Sequence, residues 1–303
     1  MPSARSTVAR IQQLTTLGVL GVAGAWVAWH WTAATWIPVV GAVFIAFGFS
    51  VVLGLEFLVL RVVNREDPAP LASPTELLAA WGRETICALQ VFCWRQPFAW
   101  DAVPDLLGPE ASVANRRGVV FIHGFVCNRG FWTPWMKLLR RSGNPFVAVN
   151  LEPVFGSIDD HVATIAAAIA AVTQASGLPP VLVCHSMGGL VARAWLRAGG
   201  QAAQVHRIVT IGSPHGGTWL ARFSHTGNGM QMAQGSDWVV TLAHDLQRLP
   251  EPPFTCWYSN CDNVVFPPSM ATLPGADNRL VRGAAHVELG FRPEVIAATL
   301  ALL

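Results

Sequence analysis

The chain has 303 residues, 13% of them charged and 52% hydrophobic, and a formal net charge of +2 at pH 7. Soluble domains carry about 25% charged residues, so part of this chain is built for apolar surroundings. The near-neutral balance, with no long basic run, argues against nucleic acid as a partner.

Arg5 and Arg10 stand in an N-terminal segment without acids, and two apolar runs come after it, about Ile11 to Ile37 and Val39 to Leu60. Glu56 is the only charge in the second. A hydrocarbon core of ~30 Å takes about 20 apolar residues of helix, and both runs reach that. His30, Thr32, Thr35, Trp36 and Pro38 read as a turn at the water interface, with tryptophans at the level of an aromatic belt. The expectation is a membrane anchor of two transmembrane helices over residues 1–65. A signal peptide is the rival, with Arg5 and Arg10 as its basic end and Leu17–Ala28 as its apolar core, but a second apolar run directly behind argues against simple secretion. Arg61 and Arg65 come after the hairpin, so the positive charges favour the cytoplasm at both ends. The rest of the chain is then expected on the cytoplasmic side of a bacterial inner membrane. If only one run spans, that side reverses.

Residues 66–116 read as a linker and an amphipathic helix. Ser73 can cap, Pro74 suits the first turn, and Glu76 can close a capping box. Leu77, Leu78, Trp81, Ala88, Leu89 and Phe92 then recur at helical spacing, which predicts a helix packed on the membrane or on the domain C-terminal to it. Residues 97–117, rich in Pro and Gly, carry no functional signal.

From residue 117 to 303, strands alternate with helices: strands at Val119–Ile122, Phe146–Val149, Val181–Cys184, Val205–Ile211, Phe254–Tyr258 and Arg279–Val281, with helices at Trp132–Arg141, Asp159–Ala175, Met187–Ala198 and Glu294–Leu303. That alternation predicts a mostly parallel sheet with helices on both faces. Val181–Leu190 reads as strand, tight turn and helix start with Ser186 at the apex, the layout of a nucleophile elbow. Gly188 supplies the small residue after the serine, and Cys184 stands where the usual pattern has glycine.

A serine hydroxyl needs a base, an orienting carboxylate and donors for the developing oxyanion. His123-Gly124-Phe125 comes directly after a strand, so the Phe125 N–H can face the site together with that of Met187. His123 is expected to hold the loop by hydrogen bonding. Asp262 lies just past a strand's carboxyl end, where sites in open parallel sheets form. Asp237 and Asp245 lack a preceding strand, and Asp159 and Asp160 look like helix-start residues. His286 sits in a small-residue loop after the last strand. His185, His215, His225 and His244 fit no such slot, and His185 is expected to point away from the site.

Residues from about 117 to 295 resemble bacterial lipases and esterases of the α/β-hydrolase fold. The matching pieces are His123-Gly124-Phe125, His185-Ser186-Met187-Gly188-Gly189, Thr210 to Thr218, Asp262-Asn263-Val264-Val265 and Gly283-Ala284-Ala285-His286. Thr210–Thr218 is particularly similar to triacylglycerol lipases. The resemblance implies a triad of Ser186, Asp262 and His286, an oxyanion hole of Phe125 and Met187, and no cofactor. A structural cation occurs in some such lipases; no ligand spacing supports a metal here. Residues 214–250, with Trp219, Phe223, Met230, Met232, Trp238 and Leu242, have the composition of a cap over an acyl pocket and equally of ordinary core.

The expected function is a membrane-anchored serine ester hydrolase, a lipase or carboxylesterase, acting on a lipid-like or acyl-ester substrate. Transfer of the acyl group to another alcohol or thiol, as in an acyltransferase or thioesterase, and a non-catalytic membrane scaffold are the alternatives. Six cysteines show no metal spacing; Cys256 and Cys261 could pair in an oxidising compartment or remain buried thiols.

Overall fold

The computed structural model describes residues 6–32, 36–108 and 116–303; Arg5 and Thr35 lie outside the described residues. The centre of the chain is a sheet of six parallel strands: β1 (Val119–Ile122), β2 (Phe146–Ala148), β3 (Val181–His185), β4 (Arg207–Ile211), β5 (Phe254–Tyr258) and β6 (Asp277–Leu280). Their spatial order is β2-β1-β3-β4-β5-β6. The chain runs from β1 outward to β2 and then returns to the other side of β1, so the strand order reverses between β1 and β3. Crevices at such a switch point, outside the strands' carboxyl ends, are where open α/β sheets bind ligands.

The central strands β1, β3 and β4 are near-continuous β-branched runs because both faces are covered, while the edge strand β6 is polar and largely exposed. Val120, Ile122, Leu182, Cys184 and Ile208 face one side with α6 (Val162–Ser176), α7 (Met187–Arg197) and α9 (Asp237–Leu246). Val119, Phe121, Val181, Val183, Val209 and Ile211 face the other with α5 (Thr133–Ser142), α10 (His286–Leu289) and α11 (Pro293–Leu300). The alternation of neighbours between the two clusters is the period-2 pleat made visible. Within residues 214–250, α9 buries Val239, Leu242 and Leu246 in the first core, so that part is ordinary packing. The stretch before it, including α8 (Gly227–Gln231), leaves Phe223 and Met230 exposed. All six cysteines are free thiols.

Ahead of the sheet come α1 (Thr7–Trp29), α2 (Trp36–Val63) and α3 (Pro74–Gln90), the last running through a π-helical turn into the short α4 (Gln96–Phe98). α1 stops at Trp29, so the turn begins at His30 as expected, but α2 already begins at Trp36. Trp36 and Pro38 therefore belong to a helical first turn, where a missing N–H costs nothing, and not to the turn between the runs. α1 and α2 are both long and apolar enough to cross a membrane. They pack along each other, and Trp26 Nε1–H donates to the Ile37 carbonyl at 3.3 Å. α3 has the expected capping box at Ser73 and Glu76. It lies beside α2, with Trp81 Nε1–H donating to the Ser50 carbonyl at 2.7 Å.

Candidate active site

Ser186 closes β3 and precedes α7 with φ +53° and ψ −128°. A non-glycine residue with positive φ is uncommon, and holding one costs on the order of 1–3 kcal/mol unless the surroundings enforce it. Here the Ser186 N–H donates to the Ile211 carbonyl at 2.9 Å and its carbonyl accepts from Gly189 N–H at 3.1 Å, which fixes the turn. Cys184 is fully buried, and the elbow forms without glycine there. Burial pushes its thiol pKa up, so it behaves as a small apolar residue.

Asp262 lies beyond β5 in a turn that grips its carboxylate. Oδ1 accepts Val264 N–H at 3.0 Å and Val265 N–H at 2.7 Å. The His286 Nδ1 lies 2.9 Å from Oδ1 and 3.0 Å from Oδ2 of the same carboxylate. A carboxylate facing Nδ1 makes that nitrogen the donor, leaving Nε2 to act as a base. Gly212, just past β4, shows how close the pair lies to the neighbouring strand. A Cβ there would meet Asp262 Oδ2 at 2.8 Å and His286 Nδ1 at 3.2 Å, and its φ is +56°. Glycine is required at 212 on both counts.

The loop after β1 abuts the serine: a Cβ on Gly124 would stand 2.8 Å from Ser186 Cβ. Among the described residues, neither Phe125 N–H nor Met187 N–H has an acceptor, and Met187 opens α7, where backbone donors are free. His123 ties this loop down as expected. Its Nε2 accepts Leu151 N–H at 3.1 Å, so Nδ1 carries the proton and donates to the Gly124 carbonyl at 2.9 Å. The loop also holds Val126 at φ +50°, and its carbonyl accepts from Gln12 Nε2 of α1 at 3.1 Å.

The structure thus joins Asp262 to His286 and places Ser186, Phe125 and Met187 at the carboxyl ends of neighbouring strands. The Ser186 hydroxyl makes no hydrogen bond to His286 in this geometry; such bonds often tighten only with substrate bound.

Histidine environments separate His286 from its neighbours. Burial alone would push His286 down, but the Asp262 charge and hydrogen bond, with Glu84 and Glu56 behind, hold it above its usual value. His123 falls to about 4 by burial. Burial also takes His185 and His215 well below the usual histidine range. Asp159 meets Arg197 at 2.6 Å and Asp160 closes a capping box with Ser157, so both are structural. No group of three or more His, Cys, Asp or Glu side chains among the described residues could hold a metal ion.

Four supporting residues are not legible in the sequence as part of the site. The sequence turns His185 away from it. Its ring does stack on Phe131 at 4.3 Å, but Nε2–H donates to the His286 carbonyl at 3.1 Å. Asn263 Oδ1 accepts His286 N–H at 3.2 Å, and Asn263 Nδ2 donates to Glu56 Oε2 of α2 at 2.7 Å. Glu84 of α3, fully enclosed, accepts Val287 N–H at 2.9 Å and Glu288 N–H at 3.0 Å. Glu84 does leave a signal: Leu77, Ala80, Glu84 and Ala88 form the buried stripe of α3, so an acid sits on an apolar face. The expectation that α3 only packs is corrected accordingly.

In comparison with known families, residues 119–230 match the model of the α/β hydrolase family. The sheet order, the elbow and this match agree. The chain has the α/β-hydrolase fold. No curated protein matches it in sequence. Among solved structures, the chain is similar to the mature lipase BlEst2 of Bacillus licheniformis, at 18% identity over 61% of this chain and 92% of that one, TM-score 0.55. It is also similar to lipase B of Aspergillus fumigatus, at 15% identity over 98% of this chain and 81% of that one, TM-score 0.55. At these identities the likeness is one of fold.

Proposed function

We propose that the protein is a membrane-anchored serine ester hydrolase of lipase or carboxylesterase type, with Ser186 as nucleophile, His286 as base and Asp262 orienting the imidazole. The observation that carries the reading is the Asp262–His286 pair, bidentate at 2.9 and 3.0 Å, at the sheet edge that also bears a serine at φ +53°. Ser186 Oγ attacks the ester carbonyl carbon while His286 Nε2 takes its proton. The tetrahedral oxyanion is met by Phe125 and Met187 N–H groups, a contribution of about 3 kcal/mol per donor. His286 returns the proton to the leaving alcohol, and water then releases the acid from the acyl-enzyme by the same steps.

The anchoring is supported by geometry. α1 is tied to the domain through Gln12 and Gln13, and beyond them it runs alongside α2 to Trp29, about 24 Å at 1.5 Å per residue. That nearly matches a hydrocarbon core of ~30 Å. Trp29, Trp31 and Trp36 are exposed at the far end, as in an interfacial belt. Arg10 and Arg61 both lie at the domain end, which favours the cytoplasmic side. With the domain seated at the membrane surface, an acyl substrate reaches the site from the bilayer.

The test is fluorophosphonate labelling of the full chain and of Ser186→Ala, then esters of increasing acyl length offered in solution and in vesicles. Labelling confined to the wild type, with preference for vesicle-borne long-chain esters, is expected. An unlabelled wild type overturns the serine mechanism, and equal rates on soluble and vesicle-borne esters overturn access from the bilayer. Competing alcohols and thiols, with product analysis, separate hydrolysis from acyl transfer.

A further inference from the structure

Three consecutive backbone N–H groups, those of His286, Val287 and Glu288, are held by side chains from elsewhere. The helices ahead of the catalytic domain supply this support, directly or through one intermediary. Glu84 takes the second and third. Asn263 takes the first, and Asn263 is in turn held by Glu56. Because Asp262 and Asn263 are adjacent, a single turn grips the base twice, the ring through Asp262 and the backbone through Asn263.

The amide of Asn263 has a polarity that matters. Its oxygen must face His286 N–H for the hydrogen bond to form, and its NH2 must then face an acceptor. Glu56 Oε2 at 2.7 Å is that acceptor. Without it the amide loses the partner that selects this orientation. The helix that carries Glu56 offers no other reason for a carboxylate. From Trp36 to Leu60 every other side chain is uncharged, and an acid in an apolar span is costly unless it faces protein and a partner. Phe57 and Leu60, close to Glu56 on α2, bury themselves against Cys261, Phe266 and Ala285, residues of the two catalytic loops. The end of α2 is therefore docked on those loops rather than free in lipid.

From this geometry we infer that Glu56, on the second helix of the membrane hairpin, is a positioning residue for His286, acting through Asn263. The hairpin is then a working part of the active site as well as an anchor. The inference rests on the serine-hydrolase reading, in which His286 is the base.

The experiment uses the full-length chain in detergent micelles with a short soluble ester, so that membrane access plays no part. Glu56→Ala is expected to lower kcat roughly ten- to hundredfold, as loss of outer supports does elsewhere, with KM nearly unchanged. Glu56→Gln keeps an acceptor oxygen and is expected to recover most of that loss. Asn263→Ala lowers kcat similarly, and adding Glu56→Ala to it brings little further loss, because both break one chain of contacts. Should Glu56→Ala fail to fold, Glu56→Asp withdraws the carboxylate by one methylene and is expected to show the same fall in kcat at constant KM. Wild-type kcat in Glu56→Ala or Glu56→Asp, or independent losses in the double variant, overturns the inference. A wild type that neither hydrolyses esters nor labels at Ser186 overturns the hydrolase reading instead, so the two failures are distinguishable.

Discussion

The carboxyl edge of the sheet and the N-terminal helices meet on one loop and contribute different things to it. From the sheet side, Asp262 reaches His286 across only 24 residues and offers a charge to its ring. From the helix side, Glu56 and Glu84 reach the same region across 203 to 207 residues and offer acceptors to backbone N–H groups or to the amide that holds one. The oxyanion side repeats the pattern. Gly124 and Phe125 come with β1, while Gln12 of α1 holds the Val126 carbonyl. The sheet thus positions Ser186, Asp262 and His286, and the helices restrain the loops around them. A fold common to many hydrolases is here buttressed by a segment that also has the makings of a membrane anchor.

That division can be broken most sharply at the serine. Ser186→Ala removes the nucleophile and touches no helix contact, so kcat should fall by about 10⁴-fold or more while the unfolding midpoint stays close to wild type. Asp262→Asn keeps the shape of the turn but not the charge on Nδ1–H, and a loss of about 10³–10⁴-fold in kcat is expected. Gly212→Ala sharpens the point that packing sets the pair, since the added Cβ meets Asp262 at 2.8 Å in a backbone region hostile to side chains. Both kcat and thermal stability should drop, the latter by about 1–3 kcal/mol.

The helix side is tested by pH. Burial raises Glu84 from its ordinary 4.5 to about 7. The folded chain therefore binds more protons than the unfolded one between those values, and stability should fall as pH rises from about 4.5 to about 7. The full loss is about 3 kcal/mol, read by denaturant titration at each pH. Glu84→Gln should flatten that slope. Activity should move the other way: in the proposed mechanism kcat/KM requires neutral His286, whose value is held above its usual 6.5, so the acid limb of the profile should lie above 6.5. The smallest effect belongs to the exposed Arg282–Glu76 pair at 3.1 Å, where Arg282→Ala should cost less than about 1 kcal/mol.

How much of this is readable in the chain divides along the same line. Val119–Ile122 and Val181–His185 announce buried parallel strands because each is a local run of β-branched and apolar residues with turn residues behind it. That Ser186, Asp262 and His286 stand at the sheet edge is legible because strand ends leading into turns mark that edge. The turn is read two or three residues too long, to Trp36 and Pro38, because a proline in the first turn of a helix looks in sequence like a residue that keeps the chain out of one. His185 escapes the sequence for another reason: alternation along a strand gives the face of a side chain, not the carbonyl it meets there.

The sequence by itself determined the parallel sheet, the elbow and the two apolar helices, since each arises from short-range periodicity and sterics. Only the tertiary structure decided that Glu56 and Glu84 hold the His286 loop. A carboxylate in an apolar stretch signals that some partner exists, but the partner is chosen by how helices and sheet pack across some 200 residues, and no local pattern encodes that distance.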